Sequence, residues 1–281
     1  VASHQLRTPI SIIRWSLDML AGGRVGKLSA AQQEYLRQAY TQVDFMARIV
    51  NDLLRVSRID EGHISVRPEP LDLPQLLAGL VHETKAMAQA YNCRVVLDVP
   101  RGLPLLVADK VKISEVLAVL VGNAIRYTRG KGMIRIRVRK GRDGYFSLSV
   151  TDNGIGIPSA QQHEIFNKFF RADNALRAQT EGLGLQLYIA KHYIEAMGGT
   201  LSFRSTALVG TTFTLRLPAR VKPVVTPPVT VPEVKLTDDE LEELYHHISD
   251  GMIIVDATRK VLKVNPVAAR LFHLQSEKVV G

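Results

Sequence analysis

Two stripes of apolar residues constrain this chain more than any other feature. Leu6, Ile10, Ile13, Leu17 and Leu20 follow one another at spacings of four, three, four and three, and Leu36, Ala39, Val43, Met46, Val50 and Leu53 continue in the same manner. At 3.6 residues per turn such spacing returns to one side of a helix, so each stripe is a seam made to pack on other helices. Gly22 and Gly23 stop the first helix. Ser29 with Gln32 three residues on is a capping box that opens the second, and Gly62 closes it. A hairpin of two such helices cannot bury both stripes alone. Residues 1–66 are therefore predicted to form a dimerisation hairpin, completed by a second copy into a four-helix bundle, so that the chain is a homodimer.

Beyond Leu71 the period changes. Strand-like runs at Cys93 to Val99, Met133 to Arg139, Tyr145 to Thr151, Thr200 to Arg204 and Thr211 to Leu217 alternate with helical stretches, one of them Glu115 to Tyr127. About 150 residues of interspersed strands and helices describe one two-layer α/β sandwich with its own core, placed at 71–219. Residues 220–236 carry four prolines and no helical period, and read as an extended linker. Then Thr237 with Glu240 caps a helix to about Ser249, followed by strands Met252 to Asp256 and Val261 to Asn265 and a helix from Pro266. This last unit, 237–281, is the beginning of a truncated α+β segment. The expected fold is thus multidomain, α and α/β.

Composition removes several classes. With 46% hydrophobic and 22% charged residues the chain is neither disordered nor fibrous. No apolar run approaches the ~18 residues of a membrane span, so membrane attachment is expected only through a segment upstream. The chain opens on Val1 and reads as a fragment, and its single cysteine, Cys93, asks for no oxidising compartment, which points to the cytoplasm. The net charge of +9 would suit nucleic acid. Its densest cluster, however, alternates arginines with Ile134, Ile136 and Val138, which is a half-buried strand with charges on its solvent side, so no nucleic-acid partner is expected.

Five short segments carry candidate chemistry. In Ser3-His4-Gln5-Leu6-Arg7-Thr8-Pro9, His4 stands two residues from the seam residue Leu6, about 200° around the helix, and so faces water. Pro9 removes an amide and crowds the carbonyl of Gln5, which should kink the helix there, while Thr8 shares the face of His4. Asn123 sits among Val116, Leu117, Leu120 and Val121 and needs a backbone partner or a cation, and Arg126 nearby is a counter-charge for phosphate. Asp152-Asn153-Gly154-Ile155-Gly156 follows a strand, where two glycines permit a tight backbone beside a ligand. Ile165 to Arg171 is aromatic-rich, which by itself reads as core. Gly182-Leu183-Gly184 precedes a helix, whose free amides and dipole suit a phosphate.

In this order and spacing the five segments resemble the histidine, asparagine, first glycine, phenylalanine and second glycine boxes of sensor histidine kinases, with Gly210-Thr211-Thr212-Phe213 as the closing strand. The resemblance covers residues 1–218. It implies a phosphotransfer hairpin followed by an ATP-binding domain of the gyrase and histidine-kinase type, with ATP and Mg²⁺ as cofactors and a response-regulator receiver domain as partner. On that analogy His4 is the phosphate acceptor, with Gln5 and Thr8 beside it in catalysis. Asp152 bonds the adenine amino group, Asn123 ligates Mg²⁺, Arg126 and Arg171 meet phosphates, and Tyr127 lies against the nucleotide. Gly154, Gly156, Gly182, Leu183, Gly184 and Thr212 complete the nucleotide site, and Ala172 to Glu181 form its lid. Residues 237–281 resemble the start of a PAS sensor domain, and His246 and His247 within them read as surface residues.

Two departures stand out. The family box usually has an acid after the histidine, and Gln5 cannot accept a proton; general-base help is worth about 10²–10⁴ in rate, so autokinase activity is expected to fall by at most that factor. Val119 stands where the asparagine box usually has a second Asn. These motivate an alternative to the active kinase, a kinase-impaired dimeric signalling scaffold. An ATPase of the gyrase and chaperone group is disfavoured, because it has no need of the hairpin.

Overall fold

The computed structural model describes residues 2–22, 26, 28–128, 130–178, 182–224, 253–255 and 261–264, the backbone alone for 2–7 and the last two segments. It divides into two units, 1–226 and 227–281.

The first unit opens with α1 (Ala2–Ala21) and α2 (Ala30–Asp60). The capping box forms as expected: Ser29 Oγ accepts from Gln32 N while Gln32 Oε1 accepts from Ser29 N at 2.8 Å. The helices run antiparallel, tied by Arg14 to Asp44 at 3.1 Å and by the Tyr40 hydroxyl, which donates to Asp18 at 2.6 Å. Both pairs share one register, and continuing it sets the backbone of His4 opposite Leu54. Pro9 lies inside α1. Of the first stripe Ile13 remains 44% exposed in the single chain, and of the second Met46 remains 48% exposed. The side chain of Leu6 lies outside the described residues.

The α/β part follows as β1 (Glu69–Leu71), α3 (Leu73–Ala90), β2 (Cys93–Asp98), β3 (Leu106–Ala108), α4 (Lys110–Arg126), β4 (Gly132–Lys140) and β5 (Tyr145–Asp152), then α5 (Asp173–Ala178), α6 (Gln186–Ala196), β6 (Thr200–Thr206) and β7 (Gly210–Pro218). Five strands form a sheet in the order β2-β4-β5-β7-β6, with β2 parallel to β4 and the rest antiparallel. Alternation along β4 buries Ile134, Ile136 and Val138 and turns Arg135, Arg137 and Arg139 to solvent, as the sequence predicts. The buried face, with Phe146, Leu148 and Val150 of β5 and Leu215 and Leu217 of β7, packs on α3, α4 and α6 to make the two-layer core.

Two features differ from expectation. The strands β1 and β3 pair with each other, and their three-residue lengths left no period to read. The start of the presumed linker is part of the domain: Val221 is buried and donates to Val107 O at 2.8 Å, and Val224 exchanges hydrogen bonds with Val66. Prolines at 223 and beyond masked this, because pairing here needs only isolated amides. In the second unit β8 (Ile253–Val255) and β9 (Val261–Val264) pair antiparallel, Ile253 opposite Val264. The helices expected before and after them, the rest of the linker, and His246 and His247 lie outside the described residues.

Candidate nucleotide site

A cavity of about 390 Å³ opens where α4, the loop after β5, the start of α5 and the loop before α6 converge. That is within the usual range for small-molecule sites. From α4 it is lined by Asn123, Arg126 and Tyr127. Asn123 and Arg126, one turn apart, and the C-cap residue Tyr127 reach the cavity, while Ile113, Leu117, Leu120 and Ile125 of α4 face the core. Asn123 Oδ1 accepts from Arg126 Nη2 at 3.1 Å, so the polar partner that this amide required is the arginine one turn on.

Asp152 closes β5 and lines the cavity. Its Oδ1 accepts from Gly154 N at 2.9 Å and from Thr211 N at 3.1 Å, while Oδ2 has no donor among the described residues. Burial pushes this carboxyl above the ordinary range for an aspartate, and the two amides pull the other way. The glycines next to it are required by space. A Cβ on Gly154 would stand 2.5 Å from Tyr127 O, and one on Gly156, at φ +62°, 2.0 Å from Thr206 O. Gly156 lines the cavity, whereas Gly154 acts from behind, through its amide to Asp152.

The loop before α6 supplies Gly182, Leu183 and Gly184. Gly184 has φ +71°, and a Cβ there would meet Phe170 O at 2.4 Å. Arg171 Nη1 donates to Gly182 O at 3.0 Å and joins the segment before α5 to this loop. Among the described residues no side chain caps the start of α6, so its first amides keep their capacity for an anion. Of the aromatic segment, Phe166 and Phe170 pack against the core, Phe170 also lining the cavity, whereas Phe169 is 59% exposed.

Thr212 does not line this cavity. Its hydroxyl donates to Thr151 Oγ1 at 3.0 Å on the open face of the sheet, and Thr211, one residue earlier and on the other face, lines the cavity. Strand alternation decides this: Thr211 shares parity with the buried Phe213. Val119 also lies elsewhere, in a small groove with Arg55, Glu115 and Tyr193 between α2, α4 and α6.

Sequence reasoning missed one wall. Phe45, Arg48, Ile49 and Asp52 of α2 line the cavity. The signal was present as a second stripe on α2, Phe45, Ile49, Asp52, Val56 and Ile59, whose last two members bury against Leu185 and Ile189. Burial raises the carboxyl of Asp52, with Arg55 opposing. By the hairpin register this wall ends two residues, about 3 Å of axial rise, before the level of His4. The side chains of His4 and Gln5 are outside the described residues; Thr8 is exposed.

Residues 1–62 match the family of the His Kinase A (phospho-acceptor) domain, residues 108–221 that of the histidine kinase-, DNA gyrase B-, and HSP90-like ATPase, and residues 239–281 the PAS fold. The chain is 30% identical over 227 residues to the circadian input-output histidine kinase CikA of Synechococcus elongatus, covering 79% of this chain and 30% of that protein. It is 30% identical over 217 residues to the sensor histidine kinase WalK of Bacillus subtilis, covering 77% and 35%. The chain thus spans about a third of the length of these relatives. Among solved structures, full-length ShkA in complex with AMPPNP superposes with a TM-score of 0.68 at 26% identity, over 79% of this chain and 46% of that one. The fold is also that of the Acinetobacter baumannii histidine kinase AdeS, with a TM-score of 0.56 at 23% identity over 77% and 98%.

Proposed function

We propose that this chain, which belongs to the sensor histidine kinases, binds Mg²⁺-ATP in the cavity and transfers the γ-phosphoryl group to His4. An imidazole nitrogen of His4 forms a bond to the γ-phosphorus, the bond from that phosphorus to the β–γ bridging oxygen breaks, ADP leaves, and the ring proton goes to water. The phosphoryl group then passes to an aspartate of a response-regulator receiver domain. The observation that supports this reading is the α2 wall: Phe45 to Asp52 line the cavity, and the register of Arg14 with Asp44 and Tyr40 with Asp18 carries His4 to about two residues beyond it.

Within it Asp152 reads the base, Tyr127 lies against the nucleotide, and Arg126, Arg171 and the glycine loop before α6 face the phosphates. Catalysis is then largely positioning and neutralisation of charge. The donor set fits Mg²⁺, which takes few protein oxygens and keeps those of phosphates and water: Asn123 would hold it by Oδ1, exchanging Arg126 for the metal. Bound there, Mg²⁺ would neutralise phosphate charge. Gln5 orients the His4 ring without taking its proton, and Thr8 orients water for dephosphorylation of the regulator.

The division into 1–66, 71–219, 220–236 and 237–281 is part of this reading, as are the homodimer through the apolar stripes and a cytoplasmic place for the catalytic region. No helix of the described residues is long and apolar enough to cross a membrane. Incubation with labelled ATP should give acid-labile, alkali-stable label, absent from His4→Gln. Label persisting on that variant would sink the assignment, and no label on the wild type would leave the scaffold alternative. Gln5→Glu should raise the labelling rate by at most about 10²–10⁴, and Thr8→Ala should slow regulator dephosphorylation and spare labelling.

A further inference from the structure

Asn174, on the lid helix α5, lines the cavity and holds a hydrogen-bonding position that the family resemblance does not assign. Its Nδ2 donates to Gly156 O at 2.8 Å and reaches Ile155 O at 3.5 Å. With the nitrogen committed to two carbonyls, the orientation of the amide is settled by its own network. Its Oδ1 is then left over. Among the described residues it is the one buried side-chain oxygen or nitrogen without a partner. A buried acceptor without a donor is a loss that folded proteins rarely keep except where function supplies the missing group.

The donor is identified by what shares the turn. Asp152 fixes one end of it by accepting from Gly154 N, and Asn174 fixes the other by donating to Gly156 O. The five-residue turn 152–156 is therefore flanked by two acceptors with spare capacity, its own Asp152 Oδ2 and, from α5, Asn174 Oδ1. In a nucleoside triphosphate the group that offers two N–H donors from a single atom is an exocyclic amine. On adenine it stands at position 6, where guanine has a carbonyl, itself an acceptor.

We propose that Asn174 is a second specificity-determining residue for the base: the 6-amino group of adenine donates one N–H to Asp152 and the other to Asn174 Oδ1. This rests on the nucleotide reading above, and it adds a role for the lid, since closure of α5 would complete recognition of the base as well as cover it.

Calorimetry on the full chain tests it with two ligands, ATP and the triphosphate of purine riboside, which has hydrogen in place of the amine. Asn174→Leu loses the bond to Gly156 O as well, but that loss weakens both ligands alike. The preference of the wild type for ATP over the analogue should fall about three- to tenfold in Asn174→Leu, the worth of one neutral hydrogen bond. An unchanged preference, with both ligands weaker, would mean that Asn174 only anchors the lid or meets a ribose hydroxyl or a water, and would overturn the proposal. If Asn174→Leu does not fold, N⁶-methyl-ATP on the wild type decides. It retains one N–H and should bind several-fold more weakly than ATP; equal affinity overturns the proposal. A wild type that binds neither triphosphate would instead bring down the nucleotide reading itself.

Discussion

Lys168 Nζ stands 2.5 Å from Asp60 Oδ2, joining the aromatic segment of the α/β part to the last residue of α2. Tyr188 of α6 donates its hydroxyl to Oδ1 of the same carboxylate at 2.8 Å, and the Lys168 ammonium lies 5.0 Å from the centre of the Tyr188 ring. Beneath them Val56 and Ile59 pack on Leu185 and Ile189. The hairpin is thus fastened to the nucleotide-binding part by a small apolar contact with a polar clasp at its edge. If His4 of α1 takes the phosphoryl group as proposed, its approach to a nucleotide beside α2 requires some such fastening, and also its release.

The clasp should be weak and should respond to salt and acid. Hydrogen bonds from Lys168 and Tyr188 hold the Asp60 carboxyl below its ordinary range. A depressed carboxylate contributes its stabilisation above the unfolded-state pKa and loses it as pH falls through the folded one. Asp60→Ala, or about 1 M salt, where the screening length is about 3 Å, should speed amide hydrogen exchange over Leu54–Ile59 and Tyr188–Ala190. Exchange in β4 and β5 should not change. Equal protection of α2 in wild type and Asp60→Ala would show that the clasp adds nothing to the apolar contact and to the Arg55–Glu115 ion pair, at 2.8 Å between α2 and α4.

Asp152 should trade stability for binding. Burial raises its pKa in the folded state, so its contribution to stability is complete below the unfolded pKa and is lost as pH rises through the folded value. In Asp152→Asn the amide oxygen still accepts from Gly154 and Thr211, and no charge is buried. That variant should melt higher than the wild type at neutral pH, the gap closing on acidification. ATP affinity should fall by about tenfold or more, since a donor now faces the amine of the base. Melting curves across pH and calorimetry read the two effects separately.

Gly184→Ala should damage both fold and site. The position has φ +71°, and the added carbon would stand 2.4 Å from Phe170 O, which is backbone and has no rotamer to escape into. The left-handed conformation alone costs an L-residue about 1–2 kcal/mol, and the overlap adds to it. A lower melting temperature and a weaker affinity for ATP are expected together; a variant that melts and binds like the wild type would show that the loop adapts.

The two threonines of β7 give a sharper test of which face meets the nucleotide. Thr212→Ala should leave ATP affinity within about twofold, because its hydroxyl serves Thr151 on the open face. Thr211→Val removes the contact of Oγ1 with Ser205 Oγ at 2.9 Å, beside the segment that carries Ile157, and should cost about 1–3 kcal/mol of stability with some loss of affinity. The reverse ranking in a binding titration would restore Thr212 to the site.

Much of this protein is legible in its residues because the relevant physics is local. The stripes spaced three and four apart, the Ser29–Gln32 box and the glycine stops specify α1 and α2, since each acts within one or two turns of helix. The alternation of Ile134, Ile136 and Val138 with arginines specifies β4 and its faces within nine residues. Even the exchange of Thr211 for Thr212 was available from parity with Phe213. What the residues in order do not carry is which elements meet. The wall from Phe45 to Asp52 belongs to the cavity only because Val56 and Ile59 seat α2 on Leu185 and Ile189, contacts more than a hundred residues apart in the chain. The strap at Val221 and Val224 exists only because Val107 of β3 and Val66, ahead of β1, offer backbone groups to it. Asn174 acquires its significance in the same way: an ordinary polar residue in sequence, it becomes a candidate reader of the base once packing turns its nitrogen onto Gly156 and buries its oxygen without a donor. Elements follow from short-range pattern, whereas a site is a set of long-range distances, and those are decided by how apolar faces from distant parts of the chain fit together.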